Sequence, residues 1–161
     1  MEAVPTVARS VVRRWLLPVL IGVLHLVAGA LNAGPLLGAA RPTAAGMLAS
    51  AAYVVAWLCW ALFAGRSDSC RTVRGMAGLW AVVIASAAIC STFVRLDARS
   101  GVAAGGWMVT SLLVVAAAPL YGLTAAFSGE PLVALTAITV ATGALTVALA
   151  ATARRLAGAA S

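Results

Sequence analysis

The sequence contains no lysine and few charged residues of any kind. All eleven of its basic residues are arginine, its four acidic residues are Glu2, Asp68, Asp97 and Glu130, and charged residues make up 9% of the 161 positions. Soluble domains are roughly 25% charged. With 63% hydrophobic residues and a mean hydropathy of +1.06, the chain would expose more apolar surface in water than a soluble monomer tolerates. This composition excludes an ordinary soluble domain.

Motifs that specify a reaction are also missing. No two acidic residues lie three or four positions apart, so no carboxylate pair shares a helix face. The sequence has no nucleophile elbow, phosphate-binding loop or metalloprotease helix signature. Its cysteines, Cys59, Cys70 and Cys90, form neither a disulfide framework nor a zinc spacing with the single histidine. We therefore expect no metal and no cofactor, and the sequence favours a protein that is not an enzyme.

The arginines do not form a nucleic-acid-binding surface. The net charge is +7, but the arginines stand in short polar segments and near the chain ends, not in the dense stripe that follows a phosphate backbone. Charges in such places are typical of residues that orient membrane helices. Abundant alanine beside absent lysine is typical of a GC-rich genome. We expect a bacterial protein of the cytoplasmic membrane with no nucleic-acid partner.

The main feature that the sequence does contain is a set of long runs without any charged residue. Five such runs, each of 20 to 30 residues, lie between successive charged positions. About 20 apolar residues in a helix cross the hydrocarbon core, and runs without strict alternation do not form a barrel. The sequence therefore predicts a single all-α domain, a polytopic membrane bundle of five transmembrane helices. The predicted spans are 16–37, 43–64, 75–94, 107–127 and 132–152, joined by polar loops that include 65–74 and 95–106.

The arginine distribution leaves four spans as an alternative. With five spans and the N-terminus in the cytoplasm, six arginines lie inside and five outside, which is a weak bias. If one run does not cross, Arg154 and Arg155 return to the inside and the bias becomes eight to three. The three arginines before the first span favour a cytoplasmic N-terminus. A cleaved signal peptide ending near Ala28 is disfavoured, because the apolar run continues to Ala40.

The first span carries the most specific pattern of small and polar residues. Gly22, His25, Gly29, Asn32 and Ala33 fall on one face of an ideal helix. His25 is the one ionisable side chain inside any predicted span, and such residues are costly in lipid and often functional. His25 and Asn32 are therefore candidates for a polar pocket, and the alternative is hydrogen bonding between helices with Gly22 and Gly29 permitting close packing.

Three further features outside the first span are candidates for a binding site or for helix packing. Tyr53 lies at a depth comparable to His25, so that a contact is possible if the first two spans form a hairpin. Arg95, Asp97 and Arg99 form a charge cluster at a membrane edge, either a headgroup or partner site or a helix end with extended arginines. The fifth span has threonines on one face beside Gly143, for which hydroxyl bonds to their own helix and close packing are the simpler interpretation.

These observations predict a function only in outline. The favoured function is that of a small integral membrane protein acting as a non-catalytic accessory or interaction subunit, with the bilayer and another membrane protein or a second copy as partners. The alternative is a small transporter, channel or apolar-ligand binder that uses the His25 and Asn32 face. A cavity reaching both residues would favour the alternative, and a solid core of leucine and valine would oppose it.

Overall fold

The computed structural model describes residues 6–37, 40–67, 70–100, 116–127 and 130–159, and these residues are helical apart from short connections. The all-α class predicted from the sequence is confirmed. The helices are α1 (Thr6–Leu37), α2 (Ala44–Ser67), α3 (Cys70–Ser100), α4 (described over 116–121) and α5 (Pro131–Ala159). A short 3₁₀ helix, Gly122–Ala126, follows α4 directly.

Three of these helices are long and apolar enough to cross a membrane. The apolar segments are Leu16–Leu37, Ala44–Ala64 and Pro131–Gly158, with mean hydropathies of 2.0, 1.9 and 2.1. The third helix contains a shorter apolar segment, Arg74–Ile89. The fourth predicted span, 107–127, lies partly outside the described residues. The described part of the chain therefore supports a membrane protein with three candidate spans, and five spans are not shown.

Two predicted loops are shorter than expected. The loop placed at 65–74 is largely helical, because α2 continues to Ser67 and α3 begins at Cys70. The loop placed at 95–106 begins later, since α3 continues to Ser100. No glycine or proline occurs between Gly78 and Gly101, so nothing in the backbone stops the helix where the charges begin. Charge marks the edge of the apolar run, not the end of the helix.

The first three helices form two successive hairpins. Contacts between α1 and α2 pair residues at equal distances from their connection, as in His25 with Tyr53 and Asn32 with Gly46. Trp57 of α2 and Trp80 of α3 pair in the same way about positions 68 and 69, with ring centroids 5.3 Å apart. Each helix is thus antiparallel to the next one along the chain, as short connections require.

The last helix runs parallel to α2. The 3₁₀ helix packs on both α2 and α5, and its Gly122 lies against Gly46 and Ser50 in the first turns of α2. Since α5 begins five residues after this 3₁₀ helix, α2 and α5 start at the same end of the bundle. Gly143 of α5 contacts Trp80 of α3, and α3 is antiparallel to both. The last turn of α5 therefore lies at the end of the bundle where α1 begins.

Threonines and tryptophans fill the centre of this arrangement. Thr139 and Thr146 are fully buried, and their hydroxyls donate to the carbonyls four residues earlier at 2.7 Å. This is the bonding within the helix that the sequence analysis expected of the threonine face. Trp57 and Trp80 are 3% and 2% exposed. Trp80 therefore packs between helices.

Candidate functional site

Asn32 joins α1 to α2 through its side-chain amide. The residue is fully buried, and its Nδ2 donates to the Ala28 carbonyl at 2.9 Å within its own helix. Across the interface it donates to Ser50 Oγ at 3.0 Å and to the Gly46 carbonyl at 3.3 Å. A buried amide in an apolar surrounding must find such partners, because an unpaired one costs several kcal/mol. Two of its three hydrogen bonds therefore hold α1 and α2 together.

Two glycines make this close approach possible. A Cβ atom on Gly46 would overlap Asn32 Oδ1 and lie 3.2 Å from its Cγ. The Oδ1 atom has no hydrogen-bond donor among the described residues, and it occupies the space that a Gly46 side chain would need. A Cβ on Gly122 would overlap the Gly46 carbonyl oxygen and Ser50 Oγ. The position of the 3₁₀ helix therefore also depends on a missing side chain.

His25 and Tyr53 form the second polar contact between the same helices. His25 Nδ1 and the Tyr53 hydroxyl oxygen are 3.2 Å apart, and the rings meet edge to face at 5.6 Å. Either group can be the donor, depending on the histidine tautomer. His25 is nine residues after Leu16, so it lies about 14 Å along the span, close to the middle of a 30 Å core. A hydroxyl and an imidazole are thus held together deep in the apolar layer.

An aromatic chain continues from this pair along α2. Tyr53 and Trp57 meet edge to face with centroids 6.4 Å apart, and Trp57 lies 5.2 Å from Trp60. The Trp57 N–H is near the Tyr53 hydroxyl but forms no hydrogen bond of standard geometry, and it has no other partner among the described residues. A buried donor without a partner costs about 1–3 kcal/mol.

A cleft lies next to these aromatic residues, where α1, α2 and α3 meet. Its volume is about 310 Å³, which is at the lower end of the 300–1,000 Å³ typical of ligand sites. It is open on one side, at the exposed residues Gly22 and Leu79. The nine residues that line it are Pro18, Ile21, Gly22, His25, Tyr53, Trp57, Trp60, Leu79 and Val83. The walls are mainly apolar and aromatic; among the lining side chains polar atoms occur on His25, Tyr53, Trp57 and Trp60, and the Trp57 nitrogen is itself buried.

The structure separates the two candidate pocket residues of α1. His25 and Tyr53 line the cleft, whereas Asn32 lies two turns further along and is enclosed by α2. Of the candidate packing residues, Gly22 borders the cleft, and no described atom lies within 4 Å of a Cβ added there; a Cβ added to Gly29 would lie 3.8 Å from Pro119 Cγ. A Cβ on Gly143 would lie 3.0 Å from Trp80 Cε3.

The charge cluster of Arg95, Asp97 and Arg99 lies in the last turns of α3. The side chains of these residues lie outside the described part of the structure, so the headgroup or partner site predicted there stays a prediction.

Sequence reasoning missed three residues that shape this region. Gly46 and Gly122 occur in stretches rich in alanine and glycine, and nothing local distinguishes them from other small residues. Their role depends on which atom stands opposite, which only the helix pairing determines. Trp57 was not among the candidates taken from the sequence. A usable signal was its spacing of four from Tyr53, which places both on one helix face.

Among the residues that the structure describes, no three histidine, cysteine or acidic side chains come together in a way that could hold a metal. Comparisons with known proteins give no further guide, since no protein-family model, curated protein or solved structure matches this chain.

Proposed function

We propose that this protein is a small multi-pass protein of the cytoplasmic membrane that binds an apolar molecule, taken from the bilayer, in the cleft beside His25 and Tyr53. The observation that carries the proposal is the cleft itself, about 310 Å³ in volume and open at Gly22 and Leu79. Its apolar walls suit a lipid-soluble molecule, and the few polar atoms provide orientation. Apolar-ligand binding is the alternative of the sequence analysis, not its favoured accessory subunit, and the cleft that supports it reaches His25 but not Asn32.

The membrane topology that fits this role has four crossings, not five. Two observations support four crossings: α2 and α5 run parallel, and Gly122 contacts Gly46. Together they place the start of α5 at the end of the bundle where α3 finishes. The end of α3 and the start of α5 then lie on the same side of the membrane. The arginine bias then rises from six against five to eight against three, with both ends of the described chain in the cytoplasm.

Cysteine labelling at two exposed positions tests the crossing number. In a background with the native cysteines replaced, Arg41→Cys and Gly158→Cys lie on opposite sides of the membrane if there are four crossings. With five crossings both lie outside. A membrane-impermeant maleimide added to intact cells should label Arg41→Cys and leave Gly158→Cys unlabelled until the cells are permeabilised. Labelling of both in intact cells contradicts the four-crossing topology.

Filling the cleft tests the binding function. Gly22→Leu places a side chain into the cleft, and among the described residues no atom lies within 4 Å of the new Cβ, so the helix packing should survive. Gly78→Leu is the matched control, because Gly78 is equally unobstructed but does not line the cleft. An alkylbenzene probe should partition into nanodiscs containing the native protein or Gly78→Leu more than into empty ones. Gly22→Leu should lose that excess.

Equal partitioning into native, Gly22→Leu and empty nanodiscs would contradict a binding function for the cleft. The second candidate, an accessory subunit, is then favoured by another observation. The outer face of α1 leaves Ala30 and Gly34 exposed, and in the described part of the chain no atom lies within 4 Å of a Cβ added to Gly34. Small residues on a membrane helix commonly mark the place where another helix packs.

Cross-linking distinguishes an associating face from a lipid-facing one. In a cysteine-free background, Ala30→Cys should give a disulfide-linked dimer in native membranes if two copies meet through this face. Ala137→Cys is the control, because Ala137 is exposed on α5, away from α1. Dimers of both variants in equal yield indicate random collision and contradict a specific contact through α1.

A further inference from the structure

We infer that the molecule held in the cleft is an anionic phospholipid, with one acyl chain lying along the cleft and its phosphate bound by Arg14. This inference rests on the proposed binding function and names the chemical class of its ligand. The second acyl chain of the lipid stays in the bilayer, because the cleft is open at Gly22 and Leu79.

The cleft is long and narrow, and it follows the direction of the helices. Its wall on α1 extends from Pro18 to His25, a length of about 10 Å. The antiparallel pairing of α1 and α2 sets Tyr53 level with His25 and Trp60 level with Pro18, so the wall on α2 has the same length. A volume of about 310 Å³ over that length gives a mean cross-section of about 30 Å². Since a cavity of about 150 Å³ holds one benzene molecule, the cleft takes about a dozen carbon atoms, which suits one chain and not two.

The cleft-lining face of α1 continues to Arg14. Pro18, Gly22 and His25 line the cleft, and Arg14 stands one turn before Pro18 on the same face of a continuous helix. The apolar segment of α1 begins at Leu16, so Arg14 stands at the edge of the apolar layer, where arginines flank membrane helices. It lies about 6 Å along the helix from Pro18. A lipid with one chain in the cleft therefore has its head at the level of Arg14.

The charges at this end of the bundle favour an anionic head. Within the described part of the chain the acidic residues are Asp97 and Glu130, near the end of α3 and just before α5, which is the opposite end of the bundle. No described acidic residue therefore competes with a phosphate for Arg14. Arginine pairs with phosphate through two parallel N–H groups, and further arginines at this end attract an anionic lipid and repel the ammonium group of a zwitterionic one. These further arginines are Arg66 of α2, Arg71 and Arg74 of α3, and Arg154 and Arg155 of α5.

Quenching of tryptophan fluorescence by brominated lipids measures the chain and the head together. In a background with Trp15→Phe and Trp107→Phe, the remaining tryptophans are Trp57 and Trp60, which line the cleft, and Trp80, which contacts Trp57. The protein is reconstituted in phosphatidylcholine containing an increasing fraction of phosphatidylglycerol brominated in the middle of its acyl chains, or of phosphatidylcholine brominated in the same way. The phosphatidylglycerol should associate about fivefold more tightly, the effect of one arginine near a membrane surface. Equal association of the two lipids overturns the inference.

Three arginine variants locate the headgroup site. Arg14→Gln should remove most of the preference for phosphatidylglycerol, and Arg14→Lys, which keeps the charge, should retain most of it. Arg74→Gln is the matched control, because it removes one charge at the same end of the bundle. Arg74 is exposed and stands nine residues before Val83 of the cleft wall, on the opposite face of α3, so the preference should persist. Equal losses in Arg14→Gln and Arg74→Gln would show a general attraction to the arginines and overturn the assignment to Arg14.

The outcomes separate this inference from the function on which it rests. Gly22→Leu fills the cleft and should lower the quenching by both brominated lipids. If it does so while the native protein prefers neither lipid, acyl chains enter the cleft without headgroup selection, and only the inference fails. If Gly22→Leu leaves the quenching by both lipids unchanged, no acyl chain lies in the cleft and the inference fails. The excess partitioning of the alkylbenzene probe then decides the binding function separately.

Discussion

The replacement of Gly46 by alanine is expected to weaken the pairing of α1 and α2. The added methyl group overlaps Asn32 Oδ1, so Asn32 must move or the helices must separate. Moving Asn32 breaks its hydrogen bonds to Ser50 Oγ and to the Gly46 carbonyl, which are 3.0 and 3.3 Å long. The backbone of α2 itself would prefer alanine, so the two effects have opposite signs.

Their magnitudes decide the direction. Overpacking a well-filled interface costs about 1–3 kcal/mol, and the two interhelical hydrogen bonds contribute about 0.6 kcal/mol each in a membrane. Replacing glycine by alanine inside a helix returns about 1 kcal/mol. The net expectation is a loss of about 1–3 kcal/mol in the free energy of unfolding. Gly78→Ala lacks the collision and should gain up to about 1 kcal/mol.

Unfolding of the purified protein in mixed micelles with increasing dodecyl sulfate, followed by circular dichroism, measures both variants. A double-mutant cycle then identifies the cause. Asn32→Ala removes the group that Gly46→Ala would strike, so the double variant should be more stable than the two separate losses predict, by about 1 kcal/mol or more. Additive effects, or Gly46→Ala behaving like Gly78→Ala, would refute the close contact between Asn32 and Gly46.

Two further predictions use the same measurement. Gly143→Ala should cost about 1–2 kcal/mol, because its Cβ would lie 3.0 Å from a Trp80 ring that has little space to move; unchanged stability would mean that α3 and α5 are further apart than described. Tyr121→Phe should cost about 0.5–1 kcal/mol through loss of its 3.0 Å hydrogen bond to the Ala40 carbonyl. A loss above about 2 kcal/mol would show that this hydroxyl has another structural role.

The apolar runs made the helical class predictable, because a backbone in hydrocarbon has few ways to satisfy its own hydrogen bonds. The contact of His25 with Tyr53 was also within reach, since a hairpin brings equal depths together. The boundaries at Ser67 and Ser100 were not, because a helix can continue through charged residues, and before Ser100 no glycine or proline interrupts it after Gly78. Hydropathy predicts where the apolar segment ends, but it does not predict where the helix ends.

The candidate site was predictable only in part, for a related reason. His25 and Asn32 share a helix face in the sequence, and that pattern suggested a common pocket. In the structure Ser50 and Gly46 of α2 enclose one of them, while the cleft opens beside the other. Which polar residue packs and which lines space depends on the opposite helix. A periodicity within one helix contains no information about that partner.

The interhelical bonds of Asn32 have a consequence for biosynthesis. While α1 is alone in the bilayer, the amide of Asn32 has only its own Ala28 carbonyl as a partner, and its other donor hydrogen faces lipid. The arrival of α2 supplies Ser50 and the Gly46 carbonyl. We therefore expect the nascent chain to remain beside the translocon until its second helix emerges, and the two helices to enter the lipid phase as one unit.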